Sequence, residues 1–140
     1  MSAQSQHPDS YQGLRGIIAR LRAPGGCPWD QEQTHTTLRR NLLEECYEAL
    51  EALDAGDSES LSEELGDVLM QLVFHCQIAE ENGDFTHADM FRRINEKLVR
   101  RHPHVFGDTA VDGAGDVLRN WEQIKLEERC GAPESPPSAL

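Results

Sequence analysis

Apolar residues recur along this chain at helical spacing, and they outline five amphipathic segments. From Leu38 to Ala55, the residues Leu38, Leu42, Cys46, Ala49, Leu50 and Leu53 fall on one face of a wheel turning about 100° per residue. A longer run, Glu59 to Asn82, places Leu61, Leu65, Val68, Leu69, Leu72, Val73, Cys76 and Ala79 together. A shorter helix is expected from Gly13 to Leu21, carrying Leu14, Ile17, Ile18 and Leu21, with its two glycines blurring the start. A fourth runs from Thr86 or Asp89 to Arg101 with Met90, Ile94 and Leu98 on one side, and a last one from Asp116 to Arg129. No segment of useful length alternates with the two-residue period of a strand.

The breaks between these runs are equally marked. Ala23-Pro24-Gly25-Gly26-Cys27-Pro28 ends the first helix and opens an irregular segment holding Trp29, Asp30, Gln33 and His35. Thr36 or Thr37 is placed to cap the next helix. Ala55-Gly56-Asp57-Ser58 and Asn82-Gly83-Asp84 are further stops, and 101–115, with Pro103 and Gly107, reads as irregular. Short connections between long amphipathic helices specify an all-α, antiparallel helical bundle. The folded domain is expected over 11–129, with flexible arms at 1–10 and 130–140.

The two central helices carry acids along one edge. Glu45 and Glu48 are three residues apart, hence neighbours on a helix flank, and Glu64 with Asp67 repeats the spacing. Antiparallel packing brings four carboxylates together, an arrangement that repels itself unless a hard divalent cation such as Mg²⁺ or Mn²⁺ takes the oxygens. The alternative is a solvated helix flank. Glu44 lies further round, on the outer side, as a candidate base.

Lys97, Arg100, Arg101 and His102 form a basic segment that suits either a helix C-terminus or the outer phosphates of a ligand. Trp29 and Trp121 are candidates for stacking on a base or for the core. His35 and His75 read as structural histidines, and His102-Pro103-His104 lacks the third ligand of a zinc site.

Composition narrows the partners. Among 140 residues, 25 acids against 13 bases give a net charge of -12, a field that opposes long contacts with polymeric nucleic acid. A single nucleotide stays compatible, because a bound cation reverses the local sign. With 38% hydrophobic residues and a mean hydropathy of -0.59, shared apolar surface in an oligomer would help the fold. No apolar run is long enough for a membrane span, and the N-terminus has no signal-like core, so a cytoplasmic location is expected. The scattered Cys27, Cys46, Cys76 and Cys130 form no CxxC pair and read as reduced thiols, with Cys46 and Cys76 buried.

Five ordered blocks then carry a resemblance. CPWDQEQTHTTL (27–38), EECYE (44–48), EELGD (63–67), RRHPHVFGD (100–108) and WEQIKLEE (121–128) closely resemble the MazG family of nucleoside triphosphate pyrophosphohydrolases. The resemblance covers 11–129. It implies an all-α enzyme that releases a nucleoside monophosphate and pyrophosphate, with metal ligands at Glu45, Glu48, Glu64 and Asp67. It also implies a homodimer or homotetramer, and basic triphosphate contacts at Lys97 and Arg100. Trp29, Arg101, His102, Trp121 and Lys125 join these as candidate substrate contacts. A pyrophosphohydrolase for a modified nucleotide such as phosphoribosyl-ATP, and a non-enzymatic helical protein binding cations or a partner, are the alternatives.

Overall fold

The computed structural model describes residues 7–131. The expected flexible arms therefore fall mostly on 1–6 and 132–140, outside the described residues. Among the described residues there are seven helices and no strand: α1 (Tyr11–Arg22), α2 (Pro28–Glu32), α3 (Arg39–Ala55), α4 (Ser58–Asn82), α5 (His87–Arg101), α6 (Pro103–Phe106) and α7 (Ala114–Gly131). The described residues form two compact units, one ending at Met90 and the other beginning at Phe91.

In the first unit, α1 starts two residues earlier than the glycines suggest. Ser10 Oγ accepts a hydrogen bond from the Gly13 amide at 3.1 Å and supplies the missing cap. Gly13 is needed there, because a Cβ would collide with the Pro8 carbonyl. The segment expected to be irregular contains α2, a single turn begun by Pro28, whose fixed φ and missing amide suit the first helical position. Neither Thr36 nor Thr37 caps α3. Leu38 stands at the cap without a side-chain bond, while Thr37 exchanges hydrogen bonds with Thr34.

Gly56, in the left-handed region at φ 69°, closes α3, and Asp57 caps α4 by accepting from the Glu59 and Ser60 amides. A two-residue connection leaves the chain no option but to reverse, so α3 and α4 form an antiparallel hairpin. Ala49 and Ala52 are buried on α3, small residues that allow close approach. The core gathers Ile18, Leu38, Val73, Phe74 and Ile78, with Tyr11, Leu14, Leu21 and Met70 packed around it. Arg15 reaches Glu80 at 3.1 Å across α1 and α4.

This core does not use the whole apolar face expected of the central helices. Burial on α4 is confined to its C-terminal half, with Gln71, Val73, Phe74, Cys76, Ile78 and Ala79, whereas Leu65, Leu69 and Leu72 are exposed. On α3, Leu50, Leu53 and Cys46 are exposed as well. The burial expected for Cys46 is thus not found; α1 covers only the far end of the hairpin.

In the second unit, α7 begins slightly earlier and ends slightly later than the expected helix, and α6 interrupts the stretch expected to be irregular. None of residues 91–131 is buried. Ile94 and Leu98, expected to be packed, are 42% and 41% exposed.

His87 is the most deeply buried polar side chain of the first unit, at 1% exposure, and its Nδ1 shares a 2.7 Å hydrogen bond with the Tyr11 hydroxyl. Burial first, and then the Arg15 charge, lower its pKa below the ordinary histidine value, against a smaller opposing pull from Glu80. The unfolded chain therefore takes up a proton more readily than the fold, so stability is complete above about pH 6.5 and falls as the pH drops below it. Chemical denaturation from pH 8 to pH 5 is expected to show this loss, and His87→Gln to show a shallower slope than the parent protein. A variant with an unchanged slope would place the effect elsewhere.

Candidate active site

Helix geometry explains why the acids meet. Glu48 and Glu64 each lie eight residues from Gly56, and Glu45 and Asp67 each lie eleven. At about 1.5 Å per residue, the members of each pair stand level across the hairpin, about 12 Å and 16 Å from the turn. The three-residue spacing keeps both members of each helix on the same flank. As a result Glu45, Glu48, Glu64 and Asp67 each offer an oxygen, all within 4.8 Å of one another.

Glu48 is exposed and the other three are half-buried. Glu45 Oε2 and Glu64 Oε2 are individually buried and have no hydrogen-bond partner. Burial, followed by the Glu48 and Asp67 carboxylates, raises the Glu45 pKa. Glu64 is raised by burial and then by Glu48 and Asp67. Among the described residues, no Lys, Arg or His forms an ion pair with any of the four. A set of hard oxygen donors with buried, unpartnered atoms fits an ion such as Mg²⁺ or Mn²⁺. Glu44 stands apart: it pairs with Arg40 at 2.9 Å on an exposed face.

The basic residues lie in the second unit. Arg100 and Arg101 converge on Glu128, at 2.8 and 2.9 Å. Their hydrogen bonds hold that carboxyl well below the glutamate range, at about 2. The Arg101 guanidinium lies 5.4 Å from the centre of the Trp121 ring. His102 meets Trp121 edge-on at 5.0 Å, while its Nδ1 bonds the Leu98 carbonyl. Lys97 is exposed, and Lys125 lines a surface pocket of about 250 Å³ with Glu122, Leu126 and Arg129. Trp29 stands on α2, 54% exposed. The candidates thus fall into a carboxylate set in one unit, a cation and aromatic set in the other, and Trp29 exposed on α2 of the first.

Two features escaped the sequence reading. Glu128 is the shared acceptor of two arginines more than twenty-five positions away, and no local spacing announces that. Arg22 binds both Glu81 and the main chain of the α2 segment. His35 and His75 are stacked and share a 2.8 Å contact between their Nδ1 atoms, so they satisfy each other in part.

The helical hairpin makes this an all-α protein with four carboxylates gathered where they could hold a metal ion. Residues 33–106 match the MazG nucleotide pyrophosphohydrolase domain, and the chain belongs to the MazG family. It is 51% identical over 119 residues to the nucleoside triphosphate pyrophosphohydrolase/pyrophosphatase MazG of Thermotoga maritima, covering 85% of this chain and 45% of that protein. It is 50% identical over 117 residues to the nucleoside triphosphate pyrophosphohydrolase of Escherichia coli K12, covering 83% and 44%. An uncharacterized protein of Bacillus subtilis, YabN, is 53% identical over 119 residues, covering 85% of this chain and 24% of that one. The chain therefore spans less than half the length of these relatives. The crystal structure of a mazG-related protein from Thermotoga maritima superposes with a TM-score of 0.70 at 25% identity, covering 82% of this chain and 98% of that one.

Repulsion within the tetrad leads to a stability prediction. In EDTA, Glu48→Gln removes one of the crowded charges and is expected to raise the thermal midpoint by about 2–4 °C. Differential scanning fluorimetry reads the shift; an unchanged or lowered midpoint would mean that the four charges do not strain the fold.

Proposed function

We propose that this chain hydrolyses nucleoside triphosphates, ribo- or deoxyribo-, standard or modified, to the nucleoside monophosphate and pyrophosphate, with Mg²⁺ held by Glu45, Glu48, Glu64 and Asp67. The observation that carries the reading is the meeting of these four carboxylates within 4.8 Å, with two buried oxygens left without partners. Membership of the MazG family, and relatives named as nucleoside triphosphate pyrophosphohydrolases, give the substrate class. When bound, the cation supplies charge neutralisation at the phosphates and a lowered pKa for a coordinated water.

The chain's own residues have distinct tasks. Lys97 and Arg100 stabilise the triphosphate charge, with Arg101 and His102 beside them. Arg100 and Arg101 start from Glu128, so phosphate oxygens replace one carboxylate as acceptor rather than meeting unpaired cations. Trp29, Trp121 and Lys125 contact the nucleotide further from the reacting phosphorus. The oxygen of water attacks the α-phosphorus, the bond from that phosphorus to the bridging oxygen breaks, and pyrophosphate leaves. The proton lost by water passes to a carboxylate. A tetrad oxygen is better placed for it than Glu44, which is engaged by Arg40 on the outer side of α3.

The assembly we propose is a homodimer or homotetramer. Leu43, Leu50, Leu53, Leu65, Leu69 and Leu72 are all more than 40% exposed on the hairpin that bears the tetrad, and a single soluble chain rarely leaves that much apolar surface in water. Among the described residues no helix is long and apolar enough to cross a membrane. The four free cysteines and a nucleotide substrate suit the cytoplasm.

The test is a panel of standard and modified triphosphates, phosphoribosyl-ATP among them, incubated with Mg²⁺ or with EDTA, with nucleotide and phosphate products resolved. Metal-dependent monophosphate and pyrophosphate are expected. Glu48→Gln and Asp67→Asn should each lower kcat by roughly 100-fold or more with unchanged far-UV circular dichroism. Near-normal turnover in both variants, or orthophosphate as the direct product, would overturn the proposal, and a folded, metal-loaded protein inert to every nucleotide would favour a binding role.

A further inference from the structure

Arg22 is the most heavily committed side chain of the first unit. Its side chain is 8% exposed, and its guanidinium lies 5.3 Å from the centre of the Phe74 ring. Nε and Nη2 donate to the Glu81 carboxylate at 2.9 and 3.0 Å, while Nη1 donates to the main-chain carbonyls of Asp30 at 2.6 Å and Gln33 at 3.0 Å. Burying a guanidinium is costly unless its donors are satisfied, and here they are satisfied by tying a short segment of chain to α4. The tie continues past Gln33, whose side chain donates to the Trp29 carbonyl and accepts from the Thr37 hydroxyl. Gln31 donates to the Ala23 carbonyl on the other side. Gln77 also donates to Glu81, so the acceptor is itself held in place.

What this network holds still is unusual for a purely structural staple. The segment buries none of its own residues from Cys27 to Thr37, and it presents Trp29 outward at 54% exposure. It then runs into Leu38, anchored in the core at 1% exposure, and so into α3, where Glu45 stands two turns, about 10 Å, further on. A large aromatic side chain exposed to water, on a segment whose main chain is tied down at the entrance to the helix bearing Glu45 and Glu48, matches the flat face of a nucleobase. Ordering it beforehand removes an entropic cost from binding.

We infer that Arg22, with Glu81, is a positioning residue for nucleotide recognition: it fixes the 27–37 segment so that Trp29 stacks on the base of the substrate. This rests on the proposed action on nucleotides, and it assigns the base-recognition element that the phosphate-directed residues leave undefined.

The chain has two tryptophans, so protein labelled with 5-fluorotryptophan gives two ¹⁹F resonances, assigned with Trp29→Phe. The probe is Mg²⁺ with a non-hydrolysable α,β-methylene nucleoside triphosphate, beside steady-state kinetics on the best substrate of the panel. The Trp29 resonance is expected to shift on saturation. Arg22→Gln is expected to sharpen and displace that resonance without ligand, and to raise KM and the analogue Kd about tenfold, with kcat within threefold. Arg22→Lys, unable to bridge both carbonyls and Glu81 together, should behave similarly. Glu81→Gln, which keeps one acceptor oxygen, should give a smaller rise and serves where Arg22→Gln folds poorly.

A role confined to stability would lower the thermal midpoint and the active fraction while leaving KM unchanged, and that result overturns the inference. So does a Trp29 resonance that ignores the analogue, or one that shifts with protein concentration alone, which would give this face to a second copy. Absence of turnover in the parent protein strikes the hydrolase proposal instead, because the ¹⁹F titration reads Trp29 without any chemistry.

Discussion

Four like charges held within one small space are the constraint around which this chain is organised. Water would separate them, yet the hairpin holds the backbone positions that carry them level with one another. Gly56 sets the turn, Asp57 restarts the helix, and the equal distances of the acids from that turn fix which carboxylates face each other. Small residues at Ala49 and Ala52 bring the helices close enough for the oxygens to meet. The crowding shows in Glu45 and Glu64, whose carboxyls are raised by burial and by their acidic neighbours. A protein selected only for stability would not keep such a set.

The placement of the cations sharpens this. Arg15 and Arg22 go to Glu80 and Glu81 at the far end of α4, and Arg100 and Arg101 go to Glu128. Each of these arginines already has a partner, and none neutralises the tetrad. The first unit is thus well compensated where α1 meets α4, and uncompensated where α3 meets the start of α4. That same uncompensated stretch carries the exposed leucines. Charge and apolar surface are both left open on one part of the hairpin, the part on which the proposed cation site and the proposed assembly both rest.

Much of this was legible in the sequence because helical periodicity is a local signal. The spacing of Glu45 with Glu48 and of Glu64 with Asp67, together with a short turn, was enough to bring four acids together. What the sequence could not show depends on tertiary choice. The apolar stripe of α4 is nearly continuous, but α1 covers only its C-terminal half, so Leu65, Leu69 and Leu72 stay exposed while Val73, Cys76 and Ala79 are buried. Cys46 follows the uncovered half. Residues 28–32 looked like loop because Gly and Pro surround them, whereas Pro28 in fact starts a turn of helix. Long-range partners left no trace: nothing near Arg22 indicates that its acceptors are Glu81, Asp30 and Gln33, and nothing near Arg100 points to Glu128.

Direct measurement of cation binding tests the central claim most closely. Mn²⁺ titrated into the metal-free protein can be followed by the loss of its free electron paramagnetic resonance signal, with no nucleotide present. Saturable binding to the parent protein, competed by Mg²⁺, is expected, with loss of that binding in Glu45→Gln and Asp67→Asn variants that remain helical. Binding of equal strength in the parent and both variants, or no saturable binding in the parent, would contradict it.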